Sequence, residues 1–254
     1  MRARVLATVA ALAMSVNFAS PAYAVGPDTA VCANAGISHH TAGVETADAN
    51  QKHGVSGTID GQALHMCTSP GLVEVSASFG WVALGDGGTS GDVIMQLGLG
   101  VCRDPLNGQC QDTMTYFYAW GRDASAPGCT GVSHRIASPI RLTGYDGAAH
   151  DYKVYHQSNQ YRFLVGSTQK TYVPEGDVCW MPNRAWWFSE TWDDGDALGG
   201  SAGNHLTTAL TNYANLEDGG FFWTNLSGSC RFNPAAPYHC QIASTTSFDT
   251  WTER

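Results

Sequence analysis

Tyr152-Lys153-Val154-Tyr155-His156 and Tyr161-Arg162-Phe163-Leu164-Val165, joined by Gln157-Ser158-Asn159-Gln160, decide the fold class. Both runs are short and rich in residues that favour a pleated, half-buried surface. The polar connection has the side chains of a tight turn. Together they read as a β-hairpin. Its return strand stops at Gly166-Ser167, a second turn, and Thr168 to Val173 continue as another strand.

The same texture extends in both directions. Val73, Val75 and Ala77 alternate with polar or small residues, and Phe79-Gly80-Trp81-Val82-Ala83-Leu84 follows. Gly85 to Asp92, four glycines and two aspartates with Thr89 and Ser90, can only be a turn or loop. Val93 to Val101, Met114 to Trp120, Ala185 to Trp192 and Gly220 to Asn225 complete the strand candidates. Only His205 to Leu216 reads as helical, with Leu206, Leu210 and Tyr213 on one face. Short strands separated by Gly, Asp, Asn and Pro turns predict an all-β protein, an antiparallel β-sandwich, with a barrel as the alternative.

The ends predict export. Arg2 and Arg4 precede an apolar run from Val5 to Val16, and Ala22-Tyr23-Ala24 offers small residues for cleavage after Ala24. That run is shorter than the ~20 residues of a membrane span. The expected organisation is a signal peptide over 1–24, an extended N-terminal arm over 25–69 and the sandwich over 70–254. The arm is polar, lacks periodicity over 25–60 and is tied down through Cys32. The expected product is a secreted, extracellular monomer with no membrane contact in its mature form.

Eight cysteines, Cys32, Cys67, Cys102, Cys110, Cys129, Cys179, Cys230 and Cys240, fit that compartment. An even number in an exported chain predicts disulfides. Cys102 and Cys110 flank the turn Asp104-Pro105-Leu106-Asn107-Gly108, and Cys230 and Cys240 bracket a loop containing proline, so both pairs can close locally. The remaining connectivity stays open. Neither C-x-x-C nor H-E-x-x-H occurs, so no metal and no cofactor is expected.

Twenty-two acidic residues face 13 basic ones, and the formal net charge is −9. With no basic cluster, nucleic acid is excluded as a partner. No G-x-S-x-G elbow is present, the glycines of 85–91 lack the lysine of a phosphate loop, and paired cysteines leave no thiol nucleophile. His39-His40 would face opposite sides of a strand.

Two polar residues stand inside apolar strands. In Ile94-Met95-Gln96-Leu97-Gly98-Leu99, Gln96 shares a face with Ile94 and Gly98. In Trp186-Trp187-Phe188-Ser189-Glu190-Thr191-Trp192, Glu190 shares a face with Trp186, Phe188 and Trp192. Apolar rings around a carboxyl raise its pKa, as a general acid or base for mildly acid medium requires.

The run Gln96-Leu97-Gly98-Leu99, then Tyr116-Phe117-Tyr118-Ala119-Trp120, then Cys179 and a glutamate on an aromatic strand, resembles the glutamic peptidases of the eqolisin and neprosin type. The resemblance implies a concanavalin-like jelly roll that cuts peptide bonds at acid pH. It would make Glu190 the activator of water and Gln96 the amide that stabilises the tetrahedral intermediate. Tyr116, Tyr118, Trp120, Trp186, Phe188 and Trp192 would bind substrate. The sequence departs from that family where Gly121-Arg122-Asp123 follows Trp120, and where Glu190 falls several residues late after its tryptophans. The same sandwich serves carbohydrate-binding modules, whose aromatic residues stack on sugars, so the expected partner is a polypeptide or a polysaccharide. Asp193-Asp194-Gly195-Asp196 reads as an acidic turn, with calcium as the alternative.

Overall fold

In a computed structural model the regular structure among the described residues is almost entirely β. The structure describes residues 32, 39–46, 51–59, 64, 66–67, 75–86, 93–103, 108–126 and 128–196, and the strands between 200 and 252. The predicted signal peptide lies outside the described residues. Among those described, no helix is long and apolar enough to cross a membrane.

The strands, in chain order, are β1 (His40–Thr46), β2 (Gly54–Ile59), β3 (Ser76–Gly85), β4 (Ile94–Arg103), β5 (Thr115–Trp120) and β6 (Ile140–Leu142). There follow β7 (His150–His156), β8 (Gln160–Val165) and β9 (Thr168–Pro174), then the short helix α1 (Glu175–Val178) and β10 (Arg184–Thr191). The last are β11 (Gly200–Ser201), β12 (Asn204–Ala209), β13 (Tyr213–Glu217), β14 (Gly220–Thr224), β15 (Gly228–Cys230), β16 (Tyr238–Ser244) and β17 (Ser247–Thr252).

They form two antiparallel sheets. The seven-stranded sheet runs β15-β1-β10-β3-β4-β5-β6. The ten-stranded sheet runs β16-β17-β12-β2-β7-β8-β9, with β11, β13 and β14 attached beside it. The predicted hairpin is β7–β8, with Tyr152 opposite Val165 and His156 opposite Tyr161. Ser158 and Asn159 both take positive φ, 54° and 60°, the conformation that turns two twisted strands tightly.

Side chains alternate between two environments. Val82 and Leu84 of β3, Met95, Leu97 and Leu99 of β4, and Trp187 of β10 pack against Val55, Val154 and Phe163 of the other sheet. Trp187 Nε1 donates to the Ser56 carbonyl at 2.8 Å, and the hydroxyls of Ser189 and Thr250 meet at 2.7 Å. These bonds satisfy polar groups that a dry core would otherwise penalise.

Two expectations change here. The segment 25–69 does not simply lie over the core: β1 is held between β15 and β10, and β2 lies between β12 and β7. Its apolar residues are few, but Ala42, Val44 and Val55 are wholly buried. Glycine admits the close packing that its bland composition concealed: Gly57 lies beneath the Trp187 ring, where a Cβ would sit 3.0 Å from the indole. The predicted helix over His205 to Leu216 is instead parts of β12 and β13. Pairing of β12 with β17 and β2, and of β13 with β14 and β2, overrides a weak helical period.

All eight cysteines are paired: Cys32–Cys67, Cys102–Cys110, Cys129–Cys179 and Cys230–Cys240. Both locally read pairs are among them.

Candidate functional site

The face of the seven-stranded sheet turned away from its partner sheet carries a second apolar cluster. Phe79, Trp81 and Ala83 of β3, Ile94 of β4, Phe117 of β5 and Phe188 of β10 belong to it, with Trp192 just beyond β10. Period two puts these residues opposite the sandwich core, and the same period brings Gln96 and Glu190 to this face. Phe79 is the hub, its ring centroid 4.9 Å from Trp81, 5.3 Å from Phe117 and 5.4 Å from Trp192. The rings need bare backbone beside them. A Cβ on Gly100 would fall 2.0 Å from the Phe79 ring, and one on Gly85 would fall 2.4 Å from the Trp186 ring.

Glu190 lies within this paving, 9% exposed. Its Oε2 accepts from Trp81 Nε1 at 2.9 Å and its Oε1 from Trp192 Nε1 at 3.1 Å. His39, just before β1, puts Nδ1 3.5 Å from Oε1 and stacks on Trp192 with ring planes 2° apart. Burial pushes the Glu190 carboxyl above the ordinary glutamate range, against the opposing pull of His39 and the two indole donors. The ring of His39 beside this carboxyl is largely exposed.

Gln96 is 7% exposed, and its amide has no hydrogen-bond partner among the described residues. It does not stand beside Glu190. Across β3, Gln96 is opposite Ala83 while Glu190 is opposite Phe79. Four residues along a strand are ~13 Å, and the two intervening strand spacings add ~10 Å sideways, so the Cα atoms are ~16 Å apart. One water, ~2.8 Å from each partner, cannot bridge them. The residue of β10 in the row of Gln96 is Trp186, which also lies opposite Ala83. The expected catalytic pair therefore shares a face but not a site.

The other expected site residues divide. Trp186, Phe188 and Trp192 share the face of Gln96. Tyr116, Tyr118 and Trp120 do not, and this corrects their expected role. They alternate to the opposite side of β5, where Tyr116 is buried in the sandwich core and Tyr118 and Trp120 pack against it. Tyr118 meets Phe163 edge-on at 5.4 Å. Trp120 lies under the Arg135 guanidinium at 4.2 Å. Burial, and next the charge of Asp146, push the Tyr116 phenol up to about 12.

Sequence reasoning missed Trp81, His39 and the ion pair of Glu45 with Arg184, whose Nε and Oε1 lie 2.7 Å apart. Glu45 is opposite Trp186 and so stands on the same face. The adjacent histidines do diverge as expected: His39 goes to Glu190, and His40 to Asp194 and the Tyr238 ring.

The Asp193–Asp196 stretch is a turn closed by Asp196 N–H on the Asp193 carbonyl at 2.9 Å. The Asp196 carboxylate accepts from the N–H groups of Cys67, Ala77 and Asp193 and from the Ser76 hydroxyl. Its lone pairs hold the chain together here. Among the described residues, the trio of metal-type donors that comes close together is Cys32, Cys67 and Asp193, and its two sulfurs are joined to each other.

No protein-family model matches the chain, and a search of curated proteins returns no match. Solved structures do resemble it. Scytalido-glutamic peptidase with a transition-state analogue inhibitor is 15% identical, with 84% of this chain and 98% of that one covered and a TM-score of 0.50. SCP-B, a member of the eqolisin family of peptidases in complex with the tripeptide Ala-Ile-His, is 14% identical, with 84% and 98% covered and a TM-score of 0.46. A glycoside hydrolase family 16 endo-glucanase from Bacteroides ovatus is 9% identical, with 59% and 66% covered and a TM-score of 0.34. At these identities the likeness is one of fold: a distant, glutamic-peptidase-like β-sandwich.

Proposed function

We propose that the protein is an exported β-sandwich that binds a polysaccharide on the outer face of its seven-stranded sheet without hydrolysing it. The observation that carries this reading is the row Trp186–Ala83–Gln96. Glutamate–glutamine chemistry requires a carboxylate and an amide converging on one water. This row holds an indole where the carboxylate would have to stand. A half-buried indole beside an amide with free donors and acceptor is instead the equipment of a sugar subsite. The ring covers the apolar face of a pyranose and the amide bonds its hydroxyls.

Affinity electrophoresis of the mature protein through neutral polysaccharides tests the reading. Wild type is expected to be retarded by at least one glycan, and Trp186→Ala and Gln96→Ala each to lose about tenfold in affinity. Retardation untouched by both substitutions, or retention by immobilised polypeptide alone, would overturn it.

A second reading has its own observation. Glu190 is a buried carboxyl of raised pKa whose Oε1 faces an exposed imidazole. That pair can move a proton to or from water without Gln96. Acid cleavage of an unfolded protein that Glu190→Gln abolishes and Gln96→Ala leaves intact would establish this reading in place of the first.

A further inference from the structure

The ten-stranded sheet also has an outer face. Tyr152 and Val154 of β7, Tyr161, Phe163 and Val165 of β8, and Val173 of β9 belong to the sandwich core. Their chain neighbours alternate to the other side. There Tyr155 lies opposite Arg162, and Arg162 opposite Tyr172, so one cross-strand row reads tyrosine, arginine, tyrosine. Lys153 stands in the next row, opposite Leu164 and diagonal to Arg162. Arg162 and Lys153 are half-buried, and Tyr172 is 54% exposed.

Acidic residues outnumber basic ones by 22 to 13, yet this row holds no carboxylate. Among the described residues Arg162 makes no ion pair. Its partner is an uncharged amide: the Gln160 carbonyl oxygen, turned toward it, accepts from Nε at 2.9 Å and from Nη2 at 3.0 Å. Both Nη1 hydrogens and one on Nη2 remain, an end-on fork that fits the two oxygens of a carboxylate. Lys153 reaches Asp151 only at 3.9 Å. Two cations on diagonal neighbours, ~7 Å apart, repel unless an anion lies between them. Lys170 of β9 takes no part, because its Nζ lies over the Tyr116 ring at 5.2 Å.

We propose that the row Tyr155–Arg162–Tyr172, with Lys153 beside it, binds an extended polysaccharide that carries carboxylates, laid across β7, β8 and β9. The two tyrosines are two strand spacings apart, ~9.6 Å. That is about the length of two pyranoses in an extended chain, so alternate sugars rest on the two phenol rings. The sugar between them lies over Arg162, and its carboxylate takes the open fork. Lys153 adds attraction that salt screens. An acidic polypeptide would meet the same cations, but side chains on one face of an extended peptide recur every ~6.8 Å and miss the tyrosine spacing. This face shares no residue with that of Gln96, so its fate and that of the first binding reading are separate.

The experiment is isothermal titration of the mature protein with carboxymethylcellulose, cellulose sulfate, hydroxyethylcellulose and poly-glutamate: one glucan backbone with three substituents, and one acidic polypeptide. Wild type is expected to bind carboxymethylcellulose, and Arg162→Gln and Tyr172→Ala each to lose at least about tenfold. Lys170→Gln, the same change of charge on the same edge strand, is expected to lose less than about twofold. Raising salt from about 50 mM to about 500 mM should weaken the wild-type complex. The loss must be confined to the charged glycan, so Arg162→Gln should bind hydroxyethylcellulose as wild type does. Failure of the Gln96 reading would remove hydroxyethylcellulose binding alone and leave this result standing. No binding of carboxymethylcellulose, or binding equal in wild type, Arg162→Gln and Tyr172→Ala, would overturn the proposal. So would tighter binding of cellulose sulfate, or poly-glutamate bound as tightly as carboxymethylcellulose.

Discussion

Trp186 and Gln96 stand in one cross-strand row with only the methyl of Ala83 between them, while Glu190 lies four residues further along β10. The row, and not the mere presence of a glutamate on an aromatic strand, sets what the outer face can do. A carboxylate at position 186 would complete a pairing with Gln96 that Glu190 of β10 is too far along its strand to make. Trp186→Glu is therefore expected to gain acid-dependent cleavage of an unfolded protein, about 10²-fold above wild type, the low end of a positioned general base. The gain should vanish on adding Gln96→Ala and be absent in Trp186→Gln. Equal cleavage by wild type and Trp186→Glu would show that the row is irrelevant.

Burial raises the Glu190 carboxyl, and this has a signed consequence. The folded protein holds this proton at a pH where the unfolded chain has released it. Stability from this group is present below the ordinary glutamate pKa and is lost as pH rises through the higher folded value. Glu190→Gln, which cannot ionise, should flatten the decline in Tm across the window above about pH 4.3. Thermal scans of both proteins in matched buffers measure the difference. A steeper decline in the variant would contradict the burial argument.

The disulfides differ in what they constrain. Cys129–Cys179 spans 50 residues and Cys102–Cys110 spans 8. Chain entropy assigns about 4 kcal/mol to the longer loop and about 2.5 kcal/mol to the shorter. Replacing Cys129 and Cys179 by serine should thus cost about 1.5 kcal/mol more in denaturant unfolding than replacing Cys102 and Cys110. Peptide mapping without reductant should recover four bridges and no labelled thiol.

Gly43 and Gly108 make opposite predictions for the same substitution. A Cβ on Gly43 would lie 2.2 Å from the Trp187 carbonyl oxygen, which belongs to backbone that cannot yield, whereas one on Gly108 meets nothing within 4 Å. Gly43→Ala is expected to lower stability by at least about 2 kcal/mol, and Gly108→Ala by less than about 0.5 kcal/mol. Urea unfolding of both compares them directly.

Much of the architecture was legible because it depends on local pattern. The β7–β8 hairpin is written in two aromatic and β-branched runs and a four-residue polar turn. The bridge Cys102–Cys110 is written in the short loop it closes. The segment around β1 and β2 was not legible. Val44, Val55 and Gly57 pack with Trp187 of β10, Gly43 meets the β10 backbone, and Ala42 packs with Tyr238 of β16, all partners distant in sequence. The strands β12 and β13 were mistaken for a helix because Leu206, Leu210 and Tyr213 fit a 3.6-residue period, and only pairing with β2, β14 and β17 resolves that ambiguity.

The candidate site divides along the same line. Period two within a strand grouped Gln96 with Ile94 and Gly98, and Glu190 with Trp186, Phe188 and Trp192, and is a property of the sequence alone; that Gln96 and Glu190 take one face follows from the pairing of β3 with β4 and β10. The offset between them belongs to strand register, which the β3 pairings fix on either side and which no single strand encodes. The same holds for His39 on Glu190, which meet because a segment before β1 reaches the end of β10. The sequence by itself determined an all-β, antiparallel class, the alternation of side chains along most strands and the short-range bridges, because these follow from local pattern and local closure. Only the tertiary structure decided which polar groups share a row, because register is set by contacts between strands far apart in the chain.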